Sequence, residues 1–229
     1  MAVDIALIDL DHTLIAGNTN TLWHQRRKPT WREVLEGLPA LLSLWTRGLP
    51  ALQWLSRETL LLSYWMRRVI YGEDYPILAR QVAEANITTV RLRTQATLEG
   101  LRGAGVRLIM VSASDSPLAR AFADLLDLDE VIAVTGHGLR FERPVPYGSG
   151  KVAAVQAYLG TENLGNCAFL SDHFSDAALL HAVGLPVAVN PDERLDALAH
   201  QYDWLRVDLD DPQSDQAIIG AILDGSQST

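Results

Sequence analysis

The chain has 229 residues, a hydrophobic fraction of 48% and a formal net charge of −9. This apolar fraction supports a sizeable core, either one α/β domain or a core domain with an insertion. Phosphate-backbone binding needs a basic face, so the acidic balance argues against nucleic acid as a partner. The most apolar region, residues 35–70, is interrupted by charged residues and prolines, which makes a transmembrane segment a poor interpretation.

The cellular location is predicted from the cysteine content and the N-terminus. Cys167 is the single cysteine of the sequence, so an internal disulfide is excluded, as suits a reducing compartment. The first residues carry Asp4 and no basic residue before a short apolar run, unlike a secretory signal. We therefore predict a cytoplasmic protein.

Near the N-terminus, the apolar run of residues 5–8 is typical of a buried parallel strand. Asp9 and Asp11 follow it directly, at the point where open α/β sheets bind their ligands. Two carboxylates so close repel each other unless a cation or a shared proton relieves the charge. The pattern favours a metal-assisted reaction, although an Asp-x-Asp-x-Thr segment also occurs as a turn followed by a helix N-cap.

Beyond this strand, residues 16–86 are expected to be mostly helical, and the remainder alternates between strand and helix patterns. Such alternation predicts an α/β fold with a doubly wound parallel sheet. We assign residues 1–15 and 87–229 to the core and residues 16–86 to an inserted helical cap. The later elements are expected at residues 88–102 (helix), 106–111 (strand), 117–126 (helix), 131–134 (strand), 139–142 (hairpin arm), 151 onward (helix), 167–170 (strand), 176–183 (helix), 187–189 (strand), 193–201 (helix) and 204–207 (strand).

Charge divides along nearly the same boundary. Between residues 16 and 90, nine lysines and arginines face six acids, so this part carries +3 and the remainder −12. A basic insertion over an acidic core fits a lid that helps to hold an anionic substrate. For any single arginine, solvation of a helix face is the favoured interpretation.

Polar residues also follow three later strands. Ser112 ends the strand of residues 106–111, and its hydroxyl can bind phosphate oxygens, although serine is common in turns. Lys151 opens a helix whose N-terminus already attracts anions. Asp172 and Asp176 follow the strand of residues 167–170, with spacing that places a metal ligand on the loop and a supporting carboxylate on the first helical turn.

These residues, in this order, resemble the four motifs of the haloacid dehalogenase superfamily, and the helical insertion is similar to the cap of its phosphoserine-phosphatase-like branch. The resemblance implies that Asp9 is a nucleophile that forms an aspartyl-phosphate and that Asp11 is the general acid and base. It further implies that Ser112 and Lys151 hold the phosphoryl group. The core would be Rossmann-like.

The resemblance also implies Mg²⁺, bound by the Asp9 carboxylate, the Asp11 main-chain carbonyl and Asp172, with Asp176 supporting them from behind. The expected function is hydrolysis of a small phosphorylated metabolite, a phosphomonoester. Two alternatives stay open. One is a phosphotransferase or mutase that uses the same intermediate, and the other is a non-catalytic protein that binds a partner through its cap.

The chain departs from the phosphoserine phosphatase pattern where the substrate is expected to bind. Asn18 stands where those enzymes carry a glutamate that binds the substrate amine, and Ala113 replaces the first of two glycines. A neutral amide cannot form that ion pair, so phosphoserine is expected to be a poor substrate. The cap tryptophans are expected mostly to pack between helices, with one or two lining a substrate pocket as the alternative: Trp23, Trp31, Trp45, Trp54 and Trp65.

Overall fold

The structure is a computed structural model that describes residues 3–25, 31–47, 53–137 and 140–224. Six of its strands form one parallel sheet in the order β3-β2-β1-β6-β7-β8, and β4 and β5 form a small antiparallel pair. The strands are β1 (Ile5–Ile8), β2 (Arg107–Asp115), β3 (Glu130–Val134), β4 (Gly136–His137), β5 (Arg140–Phe141), β6 (Leu164–Ser171), β7 (Val183–Val189) and β8 (Leu205–Val207).

Helices follow the strands in alternation after a helical segment between β1 and β2. The helices are α1 (Thr19–Gln25), α2 (Trp31–Arg47), α3 (Gln53–Tyr71), α4 (Tyr75–Ala85), α5 (Thr94–Gly103), α6 (Ser116–Leu125), α7 (Gly150–Leu159), α8 (Ala177–Ala182), α9 (Glu193–Gln201) and α10 (Ser214–Asp224). The predicted α/β fold with a parallel sheet is confirmed. Across the described ranges, we find no helix with the length and apolar character needed to span a bilayer.

Successive strand residues pack into two different cores, as the alternation of side chains along a strand requires. Ile8 and Leu170 enter one core, with residues of α5, α6 and α10. Leu7 and Phe169 enter the other, with residues of α7, α8 and α9. Both faces of the sheet are therefore covered, which explains why the strands read as continuous apolar runs.

The register of the central strands determines where the site lies. Ile8 pairs with Met110 of β2 and with Leu170 of β6, and the Asp9 amide donates to the Leu170 carbonyl at 2.9 Å. Ser112 lies two positions after Met110, and Asp172 lies two positions after Leu170. The residue after β1 and the ends of its two neighbours therefore meet at one edge of the sheet.

Two elements differ from the sequence prediction. Helix α5 begins at Thr94 rather than at residue 88, because Val90 forms an antiparallel bridge with Ile15 and so is extended. Helix α10 was not predicted. It packs closely against α5, where a Cβ atom at Gly100 would lie 2.2 Å from Cδ1 of Ile219.

The helices between β1 and β2 differ in how they are packed. Trp23 of α1 and Tyr75 of α4 lie in the first core, with ring centroids 5.0 Å apart. On α2 and α3, Trp31 and Trp54 are 70% and 62% exposed. Trp23 is thus packed as expected for most of the tryptophans, whereas Trp31 and Trp54 are exposed and Trp65 is partly buried. The side chain of Trp45 lies outside the described residues.

An ion pair joins α3 to the core. Arg68 is paired with Asp115, whose side chain is fully buried, and its Nε donates to Oδ2 of Asp115 at 3.3 Å. Asp115 also caps α6 by accepting from the Ser116 amide at 3.1 Å. Burial raises the pKa of Asp115, and the hydrogen bond from Arg68 opposes this effect. The carboxylate can remain charged there because the guanidinium compensates it.

We expect Arg68→Met to lower the free energy of unfolding by about 3 kcal/mol, because it leaves a buried carboxylate without its cation. The loss should shrink as the pH falls, since protonated Asp115 needs no cation. Urea unfolding measures both effects. Arg80→Met is the matched control: its pair with Glu84 is about half exposed, so its loss should stay below about 0.5 kcal/mol. Equal losses in the two variants would contradict the assigned role of Arg68.

Candidate active site

Asp9 lies at the end of β1 and is buried against a lysine. Its side chain and that of Lys151 are 9% and 3% exposed. Lys151 Nζ donates to Oδ1 of Asp9 at 2.7 Å and to Oδ2 of Asp176 at 2.6 Å. The lysine reaches this point because α7 begins close to the preceding loop, where a Cβ atom at Gly150 would lie 2.4 Å from the Val145 carbonyl oxygen.

The charges in this cluster perturb one another. Burial, the largest effect, raises the pKa of Asp9 to about 7, and the negative charges of Asp176 and Asp11 add to it while Lys151 opposes it. Burial alone would lower the pKa of Lys151, but the carboxylates of Asp176 and Asp9 raise it. The lysine is therefore held as a cation, and the site has more negative charge than one lysine compensates.

Asp11 is held by neutral donors. Its carboxylate accepts from the Thr19 amide at 2.8 Å and from the Thr19 hydroxyl at 3.1 Å. Asn18 Nδ2 donates to it at 3.2 Å and the Ser114 hydroxyl at 3.3 Å. These contacts, which come from the entrance to α1 and from the end of β2, fix the orientation of the carboxylate beside the cavity.

The turn after Asp11 is constrained by its own backbone and by an arginine. His12 has a φ of 61°, in the left-handed region that few non-glycine residues adopt. Its carbonyl accepts from Nε and Nη2 of Arg91 at 3.0 and 2.8 Å, and Arg91 is paired with Asp210. These two hydrogen bonds from Arg91 fix the peptide after Asp11, and therefore the path of the loop that carries both aspartates.

Asn18 uses both ends of its amide within the protein. Its nitrogen donates to Asp11, and its Oδ1 accepts from the Asn20 amide at 3.0 Å. Asn18 lines the cavity, as expected for a substrate-binding position, but its visible contacts orient Asp11. The sequence indicated a neutral group here and gave no signal for this second role.

Ser112 and Ala113 lie at the end of β2 and line the same cavity. The Ser112 hydroxyl accepts from the Ser114 amide at 3.1 Å, which turns the strand end around it. The Ala113 carbonyl accepts from the hydroxyl of Tyr64 on α3 at 3.0 Å. The cap helix is therefore bonded to the same segment that presents Ser112.

Asp172 and Asp176 occupy different positions. Asp172 Oδ1 accepts from the Thr13 hydroxyl at 3.0 Å, a buried contact that links the loop after β6 to the loop after β1. Asp176 accepts from Lys151 and, at 2.8 Å, from the Ser171 hydroxyl. Asp176 lines the cavity and Asp172 does not. The structure thus brings the predicted residues to one edge of the sheet, with Asp172 set behind the first loop.

The residues meet in a small cavity of about 40 Å³. Several residues of its wall were not predicted, because they come from the helices between β1 and β2 and from connecting loops and belong to no motif. A hydrogen bond of 2.6 Å between the hydroxyls of Ser56 and Tyr147 joins α3 to the loop before α7 beside this wall. The cavity is lined by Asp9, Asp11, Asn18, Asn20, Ser43, Leu60, Tyr64, Ser112, Ala113, Tyr147, Gly148, Lys151, Ser175 and Asp176.

The oxygen atoms near Asp9 fit a hard divalent cation. Asp9 and Asp172 supply carboxylates, and the chain between them supplies main-chain carbonyls, which Mg²⁺ prefers together with water and substrate oxygens. In the part of the chain that is described, no three His, Cys, Asp or Glu side chains are placed to hold an ion by themselves. The raised pKa of Asp9 agrees with a need for positive charge at this position.

The fold and these residues define a known class of protein. The profile of the haloacid dehalogenase-like hydrolase family matches residues 6–181. This range covers most of the chain, so the chain belongs to that family. The predicted membership, and with it the expectation of a hydrolase, is confirmed.

Individual relatives agree with this assignment. A phosphoserine phosphatase of Mycobacterium tuberculosis H37Rv is 31% identical over 109 residues, which are 44% of this chain and 35% of that protein. The match thus spans about a third of that relative's length.

Solved structures share the fold. A Bordetella pertussis Tohama I protein of unknown function has a TM-score of 0.76 at 24% identity and covers 91% of this chain and 100% of its own. A phospho-aspartyl intermediate analogue of phosphoserine phosphatase has a TM-score of 0.64 at 15% identity, over 97% and 100% of the two chains. The fold is therefore of the phosphoserine phosphatase type.

The pKa of Asp9 predicts how stability depends on pH when a chelator is present. Between the ordinary value of 3.8 and about 7, the folded protein binds this proton more tightly than the unfolded chain does. The stability of the wild type therefore falls as the pH rises through that range. We expect Asp9→Asn to match the wild type below this range and to be more stable above it, by up to about 4 kcal/mol.

Denaturant unfolding over a series of pH values measures the difference. Asp124→Asn is the control, because the Asp124 carboxylate is 67% exposed and is therefore solvated in the folded protein. A constant difference between Asp9→Asn and the wild type at all pH values would contradict the prediction.

Proposed function

We propose that the protein is a Mg²⁺-dependent phosphatase that hydrolyses a small phosphomonoester through an aspartyl-phosphate on Asp9. The observation that carries the proposal is the buried Asp9 carboxylate, held 2.7 Å from Lys151 in a cavity that Asp11 and Ser112 also line. A carboxylate nucleophile, an acid and base beside it and a cation for the phosphoryl oxygens are the groups that this reaction needs. The related phosphoserine phosphatase supports a phosphate ester as substrate.

The reaction has two steps. An Asp9 oxygen attacks phosphorus and the bond to the ester oxygen breaks, while Asp11 gives a proton to the departing alkoxide. Asp11, now a carboxylate, takes a proton from a water molecule that attacks the phosphorus of the acyl phosphate. Inorganic phosphate leaves and Asp9 is restored. Lys151 and Ser112 hold the phosphoryl oxygens in line for both steps.

The cation would be held by the carboxylates of Asp9 and Asp172 and by the main-chain carbonyl of Asp11. When bound, it neutralises charge on the phosphoryl group and so relieves repulsion with the nucleophile. Asp176 does not need to touch it, because its contact with Lys151 already holds the lysine in place. A cytoplasmic location fits the single cysteine.

A first test is turnover. Asp9→Asn should abolish phosphate release, because an amide cannot form the acyl phosphate. Asp11→Asn should reduce kcat by about 10²–10⁴-fold, the usual contribution of general acid–base catalysis. Phosphate release from p-nitrophenyl phosphate measures both, with the exposed Asp124→Asn variant expected at the wild-type rate.

The identity of the nucleophile would be wrong if purified Asp9→Asn kept near-native turnover. Transfer to an alcohol in place of water would favour the phosphotransferase alternative. Hydrolysis and phosphoryl transfer are distinguished by adding glycerol and comparing the amount of phosphate released with the amount of ester consumed.

A second test concerns the metal. Chelation should abolish activity, Mg²⁺ should restore it, and Ca²⁺ should inhibit, because its looser coordination disturbs the attack geometry. Asp172→Ala should raise the Mg²⁺ concentration for half-maximal activity while the circular dichroism spectrum is unchanged. A thermal shift on adding Mg²⁺, reduced in Asp172→Ala, provides a readout that does not depend on turnover. Full activity after thorough chelation would refute the metal requirement.

A further inference from the structure

The charged residues of the cavity follow β1 and β6 or lie at the start of α7. Among the described residues of its wall, the charged side chains are Asp9, Asp11, Lys151 and Asp176, and all four belong to the group assigned to the phosphoryl chemistry. The rest of the described wall is neutral and mostly polar: Asn18, Asn20, Ser43, Leu60, Tyr64, Ser112, Ala113, Tyr147, Gly148 and Ser175.

The polar groups of this wall are held in place by the protein. Arg67 is fully buried behind the wall and donates to Oδ1 of Asn20 at 2.9 Å, which directs the amide nitrogen of Asn20 away from it. That nitrogen lies 3.5 Å from the hydroxyl of Tyr64, which in turn donates to the Ala113 carbonyl. Burial raises the pKa of Tyr64 well above its ordinary value, so the phenol is neutral.

A second group of hydroxyls comes from α2, α3 and the loop before α7. Ser43 on α2 donates to the Ser56 carbonyl at 2.9 Å, and Ser56 shares a hydrogen bond with the hydroxyl of Tyr147. Each hydroxyl can donate one hydrogen bond and accept two, and each amide offers both donors and acceptors. These groups match an alcohol, whose hydroxyls also donate and accept.

A substrate with an ionic group would be poorly matched here. An amine or a carboxylate that loses its water needs an opposite charge, and the described neutral wall supplies none. A purely apolar substituent would remove water from the hydrogen-bonding capacity that these groups still have: the second amide hydrogen of Asn20 and the remaining acceptor sites of the Tyr64 and Tyr147 hydroxyls. Leu60 is the large aliphatic side chain of the wall.

From these observations, and on the basis of the proposed phosphatase function, we propose that the organic part of the substrate is a small, neutral, hydroxylated alcohol. The substrate class is then the monophosphates of short polyols. Tyr64, Asn20 and Tyr147 are the residues that select it.

Binding is the direct test, because it does not depend on turnover. The Asp9→Asn protein with Mg²⁺ is titrated calorimetrically with glycerol phosphate and with propyl phosphate, which have the same carbon number and differ in two hydroxyls. We expect glycerol phosphate to bind at least about tenfold more tightly, the effect of one or two additional hydrogen bonds. Phosphoserine should bind about tenfold more weakly than glycerol phosphate.

A pair of matched variants locates the selectivity. In the same background, Tyr64→Phe removes a hydroxyl of the wall and should reduce the preference for glycerol phosphate over propyl phosphate to about twofold. Tyr75→Phe removes a buried hydroxyl of the first core, outside the cavity wall, and should keep the original preference. A fall of equal size in both variants would overturn the assignment of Tyr64.

Different results would refute the proposed substrate class and the proposed phosphatase function. Propyl phosphate or phosphoserine binding as tightly as glycerol phosphate would overturn the substrate class, even if the protein hydrolyses p-nitrophenyl phosphate. A retained preference for glycerol phosphate in binding, with no phosphate released by the wild type from any of these esters, would uphold the recognition and refute the phosphatase proposal.

Discussion

Negative charge buried at the carboxyl edge of the sheet is the constraint on which the rest of the structure depends. Asp9, Asp172 and Asp176 are each less than a tenth exposed. Buried charges are tolerated only when they are paired and hydrogen-bonded. Lys151 compensates two of them, and Thr13 donates to the third. The central strands, the start of α7 and the loop after β6 must all meet for these contacts to form.

The same constraint places Asp9 and Asp11 in different chemical environments. Asp11 is held by neutral donors from α1 and β2, whereas Asp9 faces a cation. Neighbouring carboxylates in different environments can take different roles in one reaction. The two hydrogen bonds from Arg91 to the His12 carbonyl hold the left-handed turn that directly follows Asp11, and so help to fix the path of this loop.

The sequence was sufficient to predict the fold and the site residues that follow the central strands. It was insufficient to predict the cavity residues that come from the helices between β1 and β2. Asp9, Ser112 and Asp172 could be predicted because strand ends of a parallel sheet converge, whatever the loops do. Tyr64 could not, because its contact with Ala113 depends on how α3 lies across the core. The exposed Trp31 also escaped prediction, since composition indicates burial on average and the described packing leaves it at the surface.

Helix α3 is attached to the rest of the protein by contacts of unequal strength. Near the C-terminal end of α3, Arg68 and Asp115 form a buried ion pair that is costly to separate. Near its N-terminal end, Ser56 and Tyr147 share one hydrogen bond, whose net contribution is about 1 kcal/mol. Thermal fluctuation therefore breaks the second contact far more often than the first. The part of α3 near Ser56 is therefore held to the core less tightly than the part near Arg68.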